Sequence, residues 1–148
     1  MIYISSKSNL VYKNISKLLS KNNKRKASNS FIVENIKDIN LCKDFGFEFI
    51  EIIICSRLIS EQNINYIDNN FKDITIHDFS LNLYNELIYK KKGDGLIAIV
   101  KVKDNSLKNF KLSKNPYILI VESPEKPGNI GALLRTADAA GLDGLIIA

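Results

Sequence analysis

The chain has no tryptophan, one methionine, one histidine, three prolines and two cysteines in 148 residues. Each scarcity removes a class of function. Cys42 and Cys55 lack a CxxC spacing and sit among apolar neighbours. They read as buried free thiols in a reducing, cytoplasmic compartment rather than as a disulfide. His77 stands in the apolar alternation ITIHDF, so it reads as a core histidine. One histidine and two scattered cysteines supply no metal-ligand set, and no Ser/His or Cys/His machinery. No apolar run approaches the roughly 18 residues that span a membrane. Polar residues break the opening MIYISSKSNLVYKNI, which excludes a signal peptide.

What is abundant is isoleucine, asparagine and lysine, 58 residues together, the bias of AT-rich codons. The net charge of +5 is therefore weak evidence for a polyanionic partner, and its distribution matters more. Seven basic residues precede the first acidic one, Glu34: Lys7, Lys13, Lys17, Lys21, Lys24, Arg25 and Lys26. The rest of the chain is net −2. A one-sign patch on one element is the electrostatic footprint of a nucleic-acid binder. The plain alternative is a solvated, lysine-rich helix face.

Residues 8–21 fit a helix with an apolar stripe of Val11, Ile15, Leu18 and Leu19. Lys13, Lys17 and Lys21 line the opposite face. A polar, basic run, KNNKRKASNS, ends it. SFIVEN reads as a strand, residues 38–45 as a helix closed by Gly46, and FEFIEIIIC as a strand buried on both faces. Residues 60–69 read as a helix, KDITIHDF as a strand, and residues 80–89 as a helix capped by Ser80. GLIAIVKV is a further strand entered through the Gly-Asp-Gly turn at 93–95. Helices alternating with strands point to an α/β fold with a parallel or mostly parallel sheet. Residues 1–105 are expected to form one domain, 106–115 a polar linker, and 116–148 the start of a second.

The closing stretch differs from the rest. Five of seven alanines and four of seven glycines fall between residues 128 and 148, which hold no lysine. Small residues are required there against the compositional drift. The layout is the strand YILIVE ending at Glu122, the loop SPEKPG, a helix with Asn129 as expected N-cap, and a strand after Gly141. Ile130, Leu133, Leu134 and Ala137 are the expected core face. Arg135 points away from them, beside Ala132 and Ala139. The GxxxxGK phosphate loop and the GxGxxG dinucleotide fingerprint are both absent. The helix N-terminus could receive an anion, and Arg135 could hold a phosphate in bidentate fashion. Alternatively Arg135 is a solvated surface residue.

The run EKPGNIGALLRTADAAGLDGLIIA resembles the first motif of the SpoU/TrmH methyltransferases, of the SPOUT class. The pattern positions are Pro127, Asn129, Gly131, Arg135, Thr136, Ala137 and Gly141, with Gly128 inside the loop and Glu122 before it. The resemblance implies methyl transfer from S-adenosylmethionine to a ribose 2′-hydroxyl of ribosomal or transfer RNA. It implies Arg135 as the catalytic arginine and Asn129 as the motif asparagine. It also implies an N-terminal α/β/α RNA-binding domain similar to small ribosomal proteins. The basic residues Lys13, Lys17, Lys21, Lys24, Arg25 and Lys26 would contact RNA. Two details depart from the family pattern. Asn35 stands where Gly follows Glu, a position expected to tolerate positive φ. KKGDGLIAIV lacks the glutamine of that domain's last-strand entry. The cofactor-binding motifs, the knot and the homodimer interface are expected beyond Ala148, so the chain alone is expected to be inactive. The other reading is a standalone RNA-binding module.

Overall fold

The computed structural model describes residues 1–88 and 93–148. The chain divides into two compact units, Met1–Lys103 and Asp104–Ala148.

In the first unit a five-stranded sheet has the order β1-β4-β3-β5-β2. Its strands are β1 (Ile2–Ile4), β2 (Ser30–Val33), β3 (Phe49–Ile54), β4 (Thr75–Phe79) and β5 (Leu96–Lys101). The helices are α1 (Leu10–Ser20), α2 (Asn22–Ser28), α3 (Ile36–Asp44), α4 (Glu61–Asn70) and α5 (Leu81–Leu87). Two buried clusters show three layers. Tyr12 and Ile15 of α1 and Leu83, Tyr84 and Leu87 of α5 pack on Ile53, Phe79, Ile97 and Ile99. Ile39 of α3 and Ile67 of α4 pack on Ile52, Ile54, Ala98 and Val100 from the other side. The isoleucine run of β3 is thus buried on both faces, as its lack of alternation implies. Ile50 is the exception at 41% exposure. It sits at a register shift between Phe49 and Glu51, where a bulge turns it out.

The sheet is mixed: β1, β2, β3 and β4 point one way and β5 alone runs against them. β1, β3 and β4 run parallel, whereas β5 is antiparallel to both β3 and β2. The seven-residue α5 is about 10 Å long. That is too short to carry the chain back along a strand of roughly 20 Å. Strand β1 has only three residues, too few for a periodic signal in the sequence. Within the basic run after α1, residues 22–28 form a second helix, α2. Lysine, arginine and alanine are good helix formers, but the run has no apolar stripe and its N-cap Lys21 makes no side-chain bond.

Local polar groups set the ends. Asn35 does not take positive φ. It is extended, at φ −146°, and its side chain accepts a hydrogen bond from the Asp38 N–H as the α3 N-cap. The left-handed position falls on Asn29, at φ 48°, which ends α2. Ser80 caps α5, and Gly46 follows α3 at φ 64°. The expected helix over 80–89 is described only to residue 88, and positions 91–92 of KKGDG lie outside the described residues. The Tyr84 hydroxyl, fully buried, accepts the Leu96 N–H at 2.9 Å, and burial pushes its pKa up to about 12.

In the second unit β6 (Ile118–Val121) and β7 (Gly144–Ile147) pair in parallel, joined by α6 (Pro127–Ala139). A short 3-10 turn, Leu107–Asn109, precedes them.

Candidate functional site

Helix α6 carries the small-residue motif. Its N-cap is Lys126 rather than Asn129. Pro127 takes the first helical position, where its fixed φ suits the helix and its missing N–H is not needed. Asn129 therefore stands two positions into the helix, exposed, with its N–H bonded to the Lys126 carbonyl at 2.9 Å. The N-cap side chain makes no capping bond. Before the helix, Glu122 is exposed. Ser123, at φ 44°, donates its N–H to the Ala148 carbonyl at 3.0 Å and ties the loop to the end of β7.

Arg135 is exposed. A Cβ built at Gly131 would lie 3.6 Å from Arg135 Nη1, so the guanidinium lies back over Gly131, one turn toward the helix start. This is the direction helical side chains take. Gly128 has open space beside it. Gly128, Gly131 and Arg135 share one face at helical spacing. Asn129 is six residues from Arg135, about 120° around the axis, so the helix does not bring the two together. Thr136 bonds its hydroxyl to the Ala132 carbonyl at 3.0 Å. Ala137 is the buried centre of the inner face, at 7% exposure. Leu134, expected inside, is 49% exposed, because it lies about 60° off that centre. At the C-terminus Gly141, at φ 68°, and Leu142 donate to the Asp138 and Ala137 carbonyls, a Schellman closure.

Asp143 lies outside the pattern positions of the sequence motif. Its carboxylate accepts the backbone N–H groups of Ser113 and Tyr117, each at 2.9 Å. Its own N–H donates to the Tyr117 carbonyl. Phe110 lies so close to Gly144 that a Cβ there would be 1.9 Å from the ring. The polar stretch is thus fastened to the start of β7 by one carboxylate and one ring. The only sequence signal was an Asp-Gly pair, which reads as a turn. The bonds from Tyr117 and Ser113 hold the Asp143 carboxyl below its ordinary range. A depressed folded pKa contributes stability above the unfolded value that is lost as pH falls through the folded one. Exchange protection of the Ser113 and Tyr117 amides is expected to be full at neutral pH. It should fall only below about pH 4, the ordinary aspartate value. Asp143→Asn should lower protection at every pH. Amide exchange by NMR reads both, and pH-independent protection in the parent would refute the clamp.

The basic residues gather on the α1–α2 hairpin. Lys13, Lys17, Lys21, Lys24 and Lys26 are exposed. Arg25 differs from them. Its guanidinium donates to the Leu18 and Leu19 carbonyls at 2.6 and 2.8 Å, closing the end of α1. Its first role is to hold the hairpin. Among the described residues no group of His, Cys, Asp and Glu could hold a metal ion, and no helix is long and apolar enough to cross a membrane. The Cys55 thiol is pushed up by burial.

No family model matches the chain. It is 24% identical over 134 residues to the 23S rRNA (uridine(2479)-2′-O)-methyltransferase of Streptomyces viridochromogenes, covering 88% of this chain and 46% of that protein. It is 33% identical over 81 residues to an uncharacterized tRNA/rRNA methyltransferase of Borreliella burgdorferi, covering 55% of this chain and 33% of that one. A crystal structure of an RNA 2′-O ribose methyltransferase superposes with a TM-score of 0.78 at 25% identity, over 99% of this chain and 55% of that one. The SpoU methyltransferase of S. viridochromogenes in complex with the cofactor AdoMet shares the mixed α/β fold, at TM-score 0.83 and 23% identity, over 94% of this chain and 52% of that one. The chain spans about half the length, or less, of the curated relatives it matches.

Proposed function

We propose, from the premise that this chain is a partial match to the SpoU/TrmH-family rRNA 2′-O-methyltransferases, that it serves ribose 2′-O-methylation of ribosomal or transfer RNA. Its first unit is the RNA-binding domain. Its second carries the helix that meets the target ribose. The observation that carries this reading is the motif helix α6, with Arg135 exposed on a face of Gly128 and Gly131 where an RNA backbone can approach. With a guanidinium pKa above about 12, Arg135 is a poor base. It holds the phosphate beside the target ribose and stabilises negative charge developing on the ribose oxygen. Asn129 acts from another face of the helix.

S-adenosylmethionine supplies the methyl group in this family, whose solved members include AdoMet-bound forms. The second unit does not fit it on its own. Ile120 is 66% and Ile147 51% exposed, so its strands present open faces rather than an enclosing cavity. The residues present therefore act on the RNA. A homodimer and a cytoplasmic location belong to the same reading.

The test is RNA binding by this chain. Replacing Lys13, Lys17, Lys24 and Lys26 with alanine should weaken binding across unrelated RNA sequences. It should also reduce the slope of log affinity against log salt by about 0.7–0.9 for each phosphate no longer neutralised. An unchanged slope, measured by fluorescence anisotropy across salt concentrations, would move the RNA to another surface.

A further inference from the structure

Strand β2 is one edge of the five-stranded sheet, and among the described residues no strand pairs with its outer side. Its register with β5 fixes which backbone groups face out. The Val102 N–H donates to the Asn29 carbonyl at 2.8 Å, and the pairing continues Phe31↔Val100 and Val33↔Ala98. Hydrogen-bonded and non-bonded pairs alternate in an antiparallel ladder, so Phe31 and Val33 bond inward. The N–H and C=O of Ile32 therefore point away from β5, and no described residue bonds them. An edge with free groups of this kind is a template for another strand.

A groove runs along this edge. Its cavity, about 830 Å³, is lined by the consecutive residues 31–34. Leu19 and Arg25 contribute to its wall from the α1–α2 hairpin, Asp38 from α3, and Glu86 and Leu87 from α5. The lining is apolar with a net negative rim: three carboxylates, Glu34, Asp38 and Glu86, against one guanidinium. Arg25 already donates to the Leu18 and Leu19 carbonyls. Asp38 receives the Asn35 amide, and Glu86 receives Lys7 and the Tyr12 hydroxyl. Glu34, partly buried, receives no hydrogen bond from a described residue. A partly desolvated carboxylate without a donor calls for a cation.

We infer that this edge binds an extended, lysine-bearing peptide segment of a partner protein, which adds to β2 as a sixth strand. Main-chain bonds to Ile32 supply the pairing, the apolar lining takes alternate side chains, and Glu34 takes a lysine. The carboxylate rim disfavours an RNA backbone here. The exposed lysines that would meet RNA lie on α1 and α2, so peptide binding at β2 does not depend on methyl transfer.

The full chain is titrated into a fluorescent peptide of alternating Lys and Val, about five residues long to match a strand. Saturable binding is expected. N-methylating the peptide amides that would face β2, or changing Glu34→Lys in the protein, should each weaken it about tenfold. Ile32→Pro removes the outward N–H while sparing the ladder with β5, though it also removes a side chain packed on the core, and should act in the same direction. If that variant does not fold, the N-methylated peptide still decides the matter. Amide shifts in the labelled chain should centre on residues 31–34. No binding, equal binding of the N-methylated peptide, or equal binding of a Glu-Val peptide overturns the inference. So does a single-stranded RNA that shifts the same amides, or self-association of the chain through β2.

Discussion

Gly95→Ala is expected to destabilise the first unit by on the order of 3–5 kcal/mol, a large share of the roughly 5–15 kcal/mol that a domain of this size possesses. Two effects add. Gly95 sits at φ 73°, in the left-handed region where a Cβ costs roughly 1–2 kcal/mol. A Cβ there would also lie 2.4 Å from the Ile59 nitrogen and 2.9 Å from the Ile59 Cα and the Leu58 carbonyl carbon, all backbone atoms that cannot rotate away. The position is held from the other side too, because the Gly95 carbonyl accepts the Cys55 N–H at 2.9 Å. Relief therefore requires moving the entry of β5, the strand between β3 and β2. Urea unfolding should show a lower midpoint with an unchanged slope. A loss below about 1 kcal/mol would mean that this entry shifts freely and imposes no constraint.

Arg25→Ala should separate what holds the basic hairpin together from what binds. Two charge-assisted bonds to the Leu18 and Leu19 carbonyls are removed, and roughly 1.5–3 kcal/mol of stability should go with them. Lys24 and Lys26 flank Arg25 on the same short helix and are exposed. Their double replacement by alanine should change stability by no more than about 0.5 kcal/mol. The two variants should then part company in RNA binding. The lysine pair should reduce affinity and salt slope while the fold is intact. Arg25→Ala should reduce affinity only as far as it disorders the hairpin. Equal stability of Arg25→Ala and the parent, measured by denaturant unfolding, would return Arg25 to the surface role that its basic neighbours have.

The local signals in the sequence were mostly true to the chain's own chemistry. The caps at Ser80, Gly46 and Gly141, the isoleucine run of β3, and the apolar stripe of α1 each depend on neighbours within a turn or a strand. Errors arose where two local rules competed. At the start of α6, Pro127 began the helix ahead of the capping asparagine. At Asn35, a side-chain bond to the Asp38 N–H outweighed the tolerance of positive φ. Neither outcome is visible in residue type alone, because each compares two conformations of the same residue.

By itself, the sequence determined the α/β class, the small-residue helix with Arg135, and the concentration of positive charge before Glu34. These are properties of composition, period and spacing, which survive without knowledge of what packs against what. Only the tertiary structure decided that β5 runs against its neighbours, that Asp143 and Phe110 fasten the polar stretch to β7, and that Arg25 turns inward from an otherwise exposed basic hairpin. It alone placed β2 at an edge of the sheet. These depend on bonds between residues far apart in the chain, whose geometry is set by strand order and register rather than by the residues on either side.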